Sequence, residues 1–323
     1  MTVSIALCTY NGEKYIREQI GSFLRQTVPP EEIVVRDDGS TDSTLAIIGE
    51  LKEKNPSVRW DIAANGRKLG SSRNFEGAIA ACSGDVIFLS DQDDRWKEDK
   101  IGRTLEVFER SGCGAVFTDA DLVDGNGALL KGTLLDYTFF KEKIRKSFRK
   151  EDLLYWSLML GNIMTGATIA VSRSYLPALL PFKLEGKHKL WHDGWIGFSL
   201  MGANKVEYLD ERLISYRIHT TQQVGISDNK DPFERVIVEG RQPETIGERN
   251  RYFPRYLRAF SFLEELKKKC PLGPAVEERI TLEYHQQKRS YFKSQALLER
   301  KLRLAKWWLK GGNDISFSDL IKL

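Results

Sequence analysis

Three carboxylates stand within four positions at Asp91-Gln92-Asp93-Asp94, directly behind the apolar run DVIFLS. Carboxylates crowded on a strand-end loop repel one another in a low dielectric. A bound divalent cation, or the hydroxyls of a ligand, relieves that repulsion. Oxygen ligands favour Mg2+ or Mn2+ over zinc. The same residues also suit an acidic helix start, with Asp94 as its cap. Four further polar clusters punctuate apolar segments: Thr9-Tyr10-Asn11, Asp37-Asp38-Gly39-Ser40, Trp191-His192-Asp193-Gly194-Trp195 and Tyr216-Arg217-Ile218-His219.

The elements that must carry these clusters are legible from periodicity. Strands are expected at 3–8, 32–37, 58–64, 85–90 and 114–121. Helices are expected at 13–26, from Ser43 through Lys54, at 71–82 and at 97–110. Strand alternating with helix predicts an α/β fold: a mostly parallel central sheet covered on both faces. Ligands of such sheets bind at the carboxyl ends of strands, where the first three polar clusters fall. Residues 131–150 are basic and weakly periodic and read as a mobile loop or short helix. A strand is expected at 167–172, a helix at 190–201, and two short strands or a hairpin at 206–219. Beyond about residue 228 the pattern is helical.

With 323 residues, 29% of them charged, and no apolar run of about 20 residues, a spanning helix is not expected. The N-terminus shows no secretory pattern. Four scattered cysteines without C-x-x-C spacing suit a reducing cytoplasm. The net charge of +4 hides an asymmetry. Residues 230–323 hold 20 Lys+Arg against 13 Asp+Glu, whereas residues 1–229 hold 29 against 32. An acidic front and a basic back predict different partners.

Taken in order, Thr9-Tyr10-Asn11, Asp37 to Asp42, Asn65 to Asn74 and Asp91 to Asp94 resemble glycosyltransferase family 2. The Trp191–Trp195 and Tyr216–His219 segments extend the likeness to bacterial rhamnosyltransferase-like members over about residues 1–220. The resemblance implies a GT-A fold with a helical C-terminal extension. Residues 1–228 would form the transferase domain, 1–120 its nucleotide-sugar half and 121–228 its acceptor half, with 229–323 a basic helical region. It implies an inverting transfer from dTDP-rhamnose or a UDP-hexose to a glycan or lipid-linked glycan, in bacterial surface polysaccharide synthesis.

The family pattern also implies roles. Thr9, Tyr10, Asn11, Asp38, Lys68, Arg73 and Asp91 would hold the donor nucleotide; Asp37 reads as a turn former. Asp93 and His219 would hold Mn2+ or Mg2+. Asp193 would be the general base, with Asp119 and Asp121 as the fallback. Gly166, Trp191 and His192 would meet the acceptor, although alternation points His192 elsewhere; Trp195 reads as core. His188 and His285 carry no motif.

From Arg279 to Lys310, nine basic residues face two acidic ones, with Trp307 and Trp308 at one end. That suits an anionic membrane surface, and hence a peripheral position on the inner face of the cell membrane. It equally suits a helical hairpin packed on the catalytic domain or on a second subunit in a homo-oligomer. Nucleic acid is not expected, since no recognised module is present. Two other functions compete. One is an aspartyl-phosphate phosphatase with Asp91 as nucleophile and Asp93 as acid/base. Its motif would sit on the fourth strand, with Arg95 where a threonine is usual, and would leave Thr9–Asn11 and Asp38 without a role. The other is a non-catalytic membrane-associated scaffold, against which the presence of both Asp93 and Asp193 argues. A dinucleotide dehydrogenase is disfavoured, as no G-x-G-x-x-G follows the first strand.

Overall fold

Along the first strand, Val3, Ile5 and Leu7 enter one hydrophobic core while Ala6 and Cys8 enter another. A strand whose alternate side chains are all buried must lie inside a sheet covered on both faces. The computed structural model, which describes residues 1–146, 148–188, 190–220, 222 and 246–309, places it there. The strands are β1 (Val3–Thr9), β2 (Glu32–Asp37), β3 (Arg59–Ala64), β4 (Val86–Ser90), β5 (Arg95–Trp96), β6 (Ala115–Val123), β7 (Leu129–Thr133), β8 (Ile169–Ser172) and β9 (Val206–Arg217). They form one sheet of order β3-β2-β1-β4-β8-β6-β9-β5, with β7 added beside β6. Strands β1, β2, β3, β4, β6 and β9 run one way and β8 runs against them, so the sheet is mixed and mostly parallel.

Helices α1 (Ile16–Leu24), α2 (Thr44–Lys54) and α4 (Lys100–Ser111) flank the sheet. Helix α1 buries Ile16, Ile20 and Phe23, and α4 buries Ile101, Leu105 and Phe108, all in the core of Val3, Ile5 and Leu7. Helices α3 (Ser71–Ala81), α6 (Leu153–Leu160) and α8 (His192–Gly202) pack into the other core. Short helices α5 (Glu142–Arg145) and α7 (Leu176–Leu179) lie in connections.

Three expectations are corrected or refined. Residues 206–217 are one strand, not two or a hairpin. The polar triplet Asp210-Glu211-Arg212 is absorbed by register shifts against β6 at Asp119–Asp121, where Arg212 pairs with Asp121. Residues 131–150, expected as a mobile loop or short helix, include the short helix α5 and in their described part are packed rather than loose. Strand β7 leads into a turn at Leu134–Tyr137 with a capping box at Thr133 and Asp136, and Leu134, Leu135, Phe139 and Phe140 are buried. Strand β8 starts at Ile169, after a single 3-10 turn at Gly166–Thr168.

Helices α9 (Ile246–Lys267) and α10 (Pro274–Leu309) follow. Phe253 stacks on Tyr291 and Phe260 on Tyr284, so the two run antiparallel. The pair docks on α6: Glu283 takes the Tyr155 hydroxyl, and Arg279 pairs with Asp152 and lies 3.9 Å over the Tyr155 ring. Arg279, the first cation of the basic stretch, thus belongs to a packed hairpin. The side chains of Trp307 and Trp308, and Lys310 altogether, lie outside the described residues, as do 223–245. Among the described residues no helix is long and apolar enough to cross a membrane.

Candidate active site

Parallel pairing of β1 with β2 sets Thr9 beside Asp37, so the two strand-end loops meet. Asp37 is buried and structural. It accepts the Thr9 hydroxyl at 2.7 Å and the backbone N–H groups of Gly39 and Ser40. Asn11 sits in the left-handed region at φ 49°, which asparagine tolerates, and its side-chain oxygen accepts the Thr41 N–H at 2.8 Å. The Asp38 carboxylate is also committed: the N–H groups of Leu69 and Gly70 and the Asn65 amide donate to it at 2.6, 2.9 and 3.0 Å. A carboxylate offers about four lone pairs, so three donors use most of its capacity. Gly70, at φ 82°, lets the 65–70 loop turn onto it. Lys68 stands 3.7 Å over the ring of Tyr10. Arg73 is held by Glu76, Glu185 and the Phe182 carbonyl, and so ties α3 to the 182–185 segment rather than joining this cluster.

The acidic loop after β4 is clamped to the first loop by Gln92, which donates to the Tyr10 carbonyl at 2.9 Å and accepts the Tyr10 N–H at 2.8 Å. A Cβ at Gly12 would overlap that amide, so glycine is needed there. Beyond the clamp, Oδ2 of Asp93 lies 2.8 Å from Nε2 of His219. Asp94 is buried; its Oδ1 accepts the Arg217 N–H, and its Oδ2 has no partner among the described residues. Burial raises the Asp94 carboxyl well above its ordinary value, and Asp93 and Asp91 push the same way. Asp91 is raised to about 7, first by burial, then by the charges of Asp93 and Asp193. Arg217 offsets part of this negative field. Its Nε donates to the Asp93 carbonyl at 2.7 Å, its guanidinium pairs with Glu18 at 2.6 Å, and it stacks over Tyr15 at 4.6 Å.

Asp193 occupies the first turn of α8 and accepts the N–H of Gly194 at 2.6 Å. That bond and one from Gly166 favour the anion, but burial outweighs them and raises the carboxyl to about 6. Trp191, just ahead of the helix, is 48% exposed. His192 corrects its place among the acceptor residues. Its ring is buried, stacked on Phe75 at 4.1 Å, and burial alone lowers it to about 3. A Cβ at Gly166 would come within 2.6 Å of that ring, so Gly166 serves the packing of His192 as well as the Asp193 loop. Trp195 is fully buried and donates to the Leu179 carbonyl.

Among the described residues no group of three or more His, Cys, Asp or Glu side chains could enclose a metal by itself. The Asp93–His219 pair suits a different arrangement. Mg2+ and ions like it are commonly held by one or two protein ligands, with substrate phosphates and water completing the shell. The residues present fit a cation of that kind.

Gln92, Arg217, Glu18 and Asn65 carry this geometry without standing out as site residues in the sequence. Gln92 and Arg217 lie inside the recognised motifs, but their spacing gives no sign that they work as a clamp and a buried counter-ion.

Comparisons with known proteins bear on the family and the fold. The family model described as glycosyl transferase family 2 matches residues 4–170. An uncharacterised glycosyltransferase of a Nostoc strain is 32% identical over 223 residues, covering 68% of this chain and 65% of its own length. The dTDP-rhamnosyl transferase RfbG of Shigella flexneri is 27% identical, covering 68% of this chain and 73% of its own. The chain spans between 24% and 65% of the length of the first curated relatives it matches. Among solved structures, a mannosyltransferase of Pyrobaculum calidifontis, in complex with GDP-Man and Mn2+, shares the fold with a TM-score of 0.51 and 15% identity. The match covers 96% of this chain and 76% of that one.

Proposed function

The chain belongs to glycosyltransferase family 2, and on that footing we propose that it is a metal-dependent, inverting glycosyltransferase of bacterial surface polysaccharide synthesis. The observation that carries this reading is the Asp93–His219 pair, 2.8 Å apart, on an acidic loop that Gln92 clamps to the loop of Tyr10. The buried carboxylate of Asp193 supplies a base on the acceptor side.

The loops bearing Thr9, Tyr10, Asn11 and Asp38 cradle the nucleotide, with Lys68 and Asp91 beside it. Asp93 and His219 would hold Mn2+ or Mg2+, which would supply positive charge to neutralise the departing diphosphate. An acceptor hydroxyl oxygen attacks the anomeric carbon from the face opposite the leaving group. The bond from that carbon to the β-phosphate oxygen breaks, the nucleoside diphosphate leaves with the electron pair, and the hydroxyl proton passes to Asp193. A single displacement inverts the anomeric centre. The likeness to a dTDP-rhamnosyl transferase makes dTDP-rhamnose the first donor to test, with UDP-hexoses beside it. Residues 1–120 serve the donor and 121–228 the acceptor, and the basic region 229–323 follows, helical over 246–267 and 274–309.

The acceptor is a glycan or lipid-linked glycan, met at the inner face of the cell membrane. Cations of the 279–310 stretch beyond Arg279 would face anionic lipid, each contributing about 1 kcal/mol near such a surface. Liposome sedimentation checks this: binding should rise with anionic lipid and fall at high salt, and indifference to liposomes assigns the stretch to packing alone.

Thermal shift with a panel of nucleotide-sugars, with and without Mn2+, tests donor and metal together. A product assay on Asp193→Asn tests the base. Asparagine keeps an acceptor oxygen but takes up no proton at neutral pH. Turnover should fall about 10²–10⁴-fold with donor affinity retained. A flat thermal panel, or near-normal turnover in that variant, would remove the reading and return Asp119 and Asp121 to consideration.

A further inference from the structure

A cavity of about 850 Å3 opens beside Asp193 and Trp191. Its size lies within the range of small-ligand sites. Two kinds of wall enclose it. Leu158, Leu190, Phe198 and Phe262 supply apolar surface; Lys187, His188, Arg255 and Arg258 supply nitrogen. Positions 255, 258 and 262 share one face of α9, so a single helix presents both guanidinium groups and an aromatic ring to the space. Asp193 is the one carboxylate among the described lining residues.

Glu265, an acidic side chain nearby, is engaged away from the arginines: it pairs with Lys269 at 2.6 Å and accepts the His188 N–H at 3.2 Å. His188, which carries no sequence motif, reports the field there. Burial lowers its imidazole first; Glu265 acts the other way, and Arg258, Lys187 and Lys269 lower it further. A neutral sugar needs no such wall, since amides, carboxylates and aromatic faces suffice for hydroxyls. Two guanidinium groups one helical turn apart match the oxygens of a phosphate.

We infer that this cavity is an acceptor subsite for a phosphate group: the acceptor is a phosphate-bearing glycan, with Arg255 and Arg258 on its phosphate while its reacting hydroxyl reaches Asp193. The assignment rests on Asp193 as the acceptor-side base. The phosphate could join the glycan to a lipid carrier or link the units of a polymer. The chemistry recognised by the arginines is the same, and the apolar wall distinguishes the two.

The test uses the full chain and measures binding without turnover. Hexose 1-phosphate, its decyl phosphodiester, free hexose and a hexuronate are titrated by calorimetry into wild type, Asp93→Ala and the double variant Arg255→Gln/Arg258→Gln. Phosphate probes held in the cavity should bind wild type and Asp93→Ala alike, which separates them from probes held at the metal. In the double variant their affinity should fall about 10–100-fold, as expected for a lost charge-assisted contact. Free hexose should show no difference. Arg258→Gln alone, at an exposed position, should give a smaller loss in the same direction, and Mn2+-dependent nucleoside diphosphate binding should be unchanged in both variants.

Tighter binding of the decyl ester identifies a lipid-linked phosphate; equal binding of the two phosphate probes identifies a polymer. Undiminished phosphate affinity in the double variant, no phosphate binding by wild type, or preference for the hexuronate would overturn the inference. Those results leave the role of Asp193 standing, because that role is judged by turnover of Asp193→Asn alone.

Discussion

Nε2 of His219 lies 2.8 Å from Oδ2 of Asp93, although 126 positions separate them in the chain. Strand β9 makes the approach possible. It pairs with β5 just after the acidic loop, Ile214 opposite Trp96 and Ser215 opposite Arg95, and so delivers Arg217 and His219 to Asp93 and Asp94.

That pair predicts the metal dependence. Asp93→Ala should abolish Mn2+-dependent binding of nucleoside diphosphate in calorimetry, and His219→Ala should weaken it. The Asp93→Ala apo protein should remain folded, since removing one of several crowded carboxylates relieves repulsion. Metal-dependent affinity unchanged in Asp93→Ala would refute the role.

The raised carboxyl of Asp193 predicts an acid limb in the pH–rate profile. A base works only when ionised, so kcat/KM should be flat above about 6 and fall tenfold per pH unit below it. The residual activity of Asp193→Asn should lack that limb. The stability sign is opposite to that of a salt-bridged aspartate. A folded-state value raised above the ordinary 3.8 gives stability that is present at acid pH and lost as pH rises from about 4 to 6. Urea unfolding at pH 7 should therefore find Asp193→Asn no less stable than wild type.

Arg217 is the buried counter-ion of the acidic loop. Arg217→Met takes from Glu18 the nearer of its two cations, leaving Arg95 at 3.5 Å, and removes one of the charges that offset Asp94. Breaking a buried pair costs about 3–5 kcal/mol; Glu18 is partly exposed, so a loss of about 2–4 kcal/mol is expected in urea unfolding. Glu18→Gln should cost less. A loss below about 1 kcal/mol would show that water replaces the guanidinium.

Gly12→Ala should displace Gln92 and open the clamp on Tyr10. Crowding of this kind costs about 1–3 kcal/mol. Donor affinity should drop as well, because the first loop loses its register against the acidic one. Gln92→Ala should reproduce the affinity loss with less destabilisation. Wild-type donor binding in both variants would separate the clamp from the donor site.

Much of the architecture was written in local pattern. Alternation through Val3–Thr9 and helical spacing through α1 and α4 are short-range properties, and they suffice to specify a sheet with helices on both faces. The acidic loop announces itself because crowded carboxylates after an apolar strand are costly without a cation. What pattern could not supply were relations between distant segments. Periodicity broke at Asp210–Arg212, and only pairing with β6 and β5 made residues 206–217 one strand. The basic residues from 279 onward suited a membrane surface and a packed hairpin equally, until Asp152 and Glu283 claimed Arg279 and the hairpin folded onto α6. Alternation placed His192 away from Asp193, yet its burial against Phe75 depends on α3 and α8 meeting. Arg255 and Arg258 gave no signal at all, because a cation on a helix looks solvated until the wall opposite it is known. Sequence determines which chemistry each segment could do; the long-range contacts decide which segments share a site, since burial and field are sums over neighbours that the chain brings together only on folding.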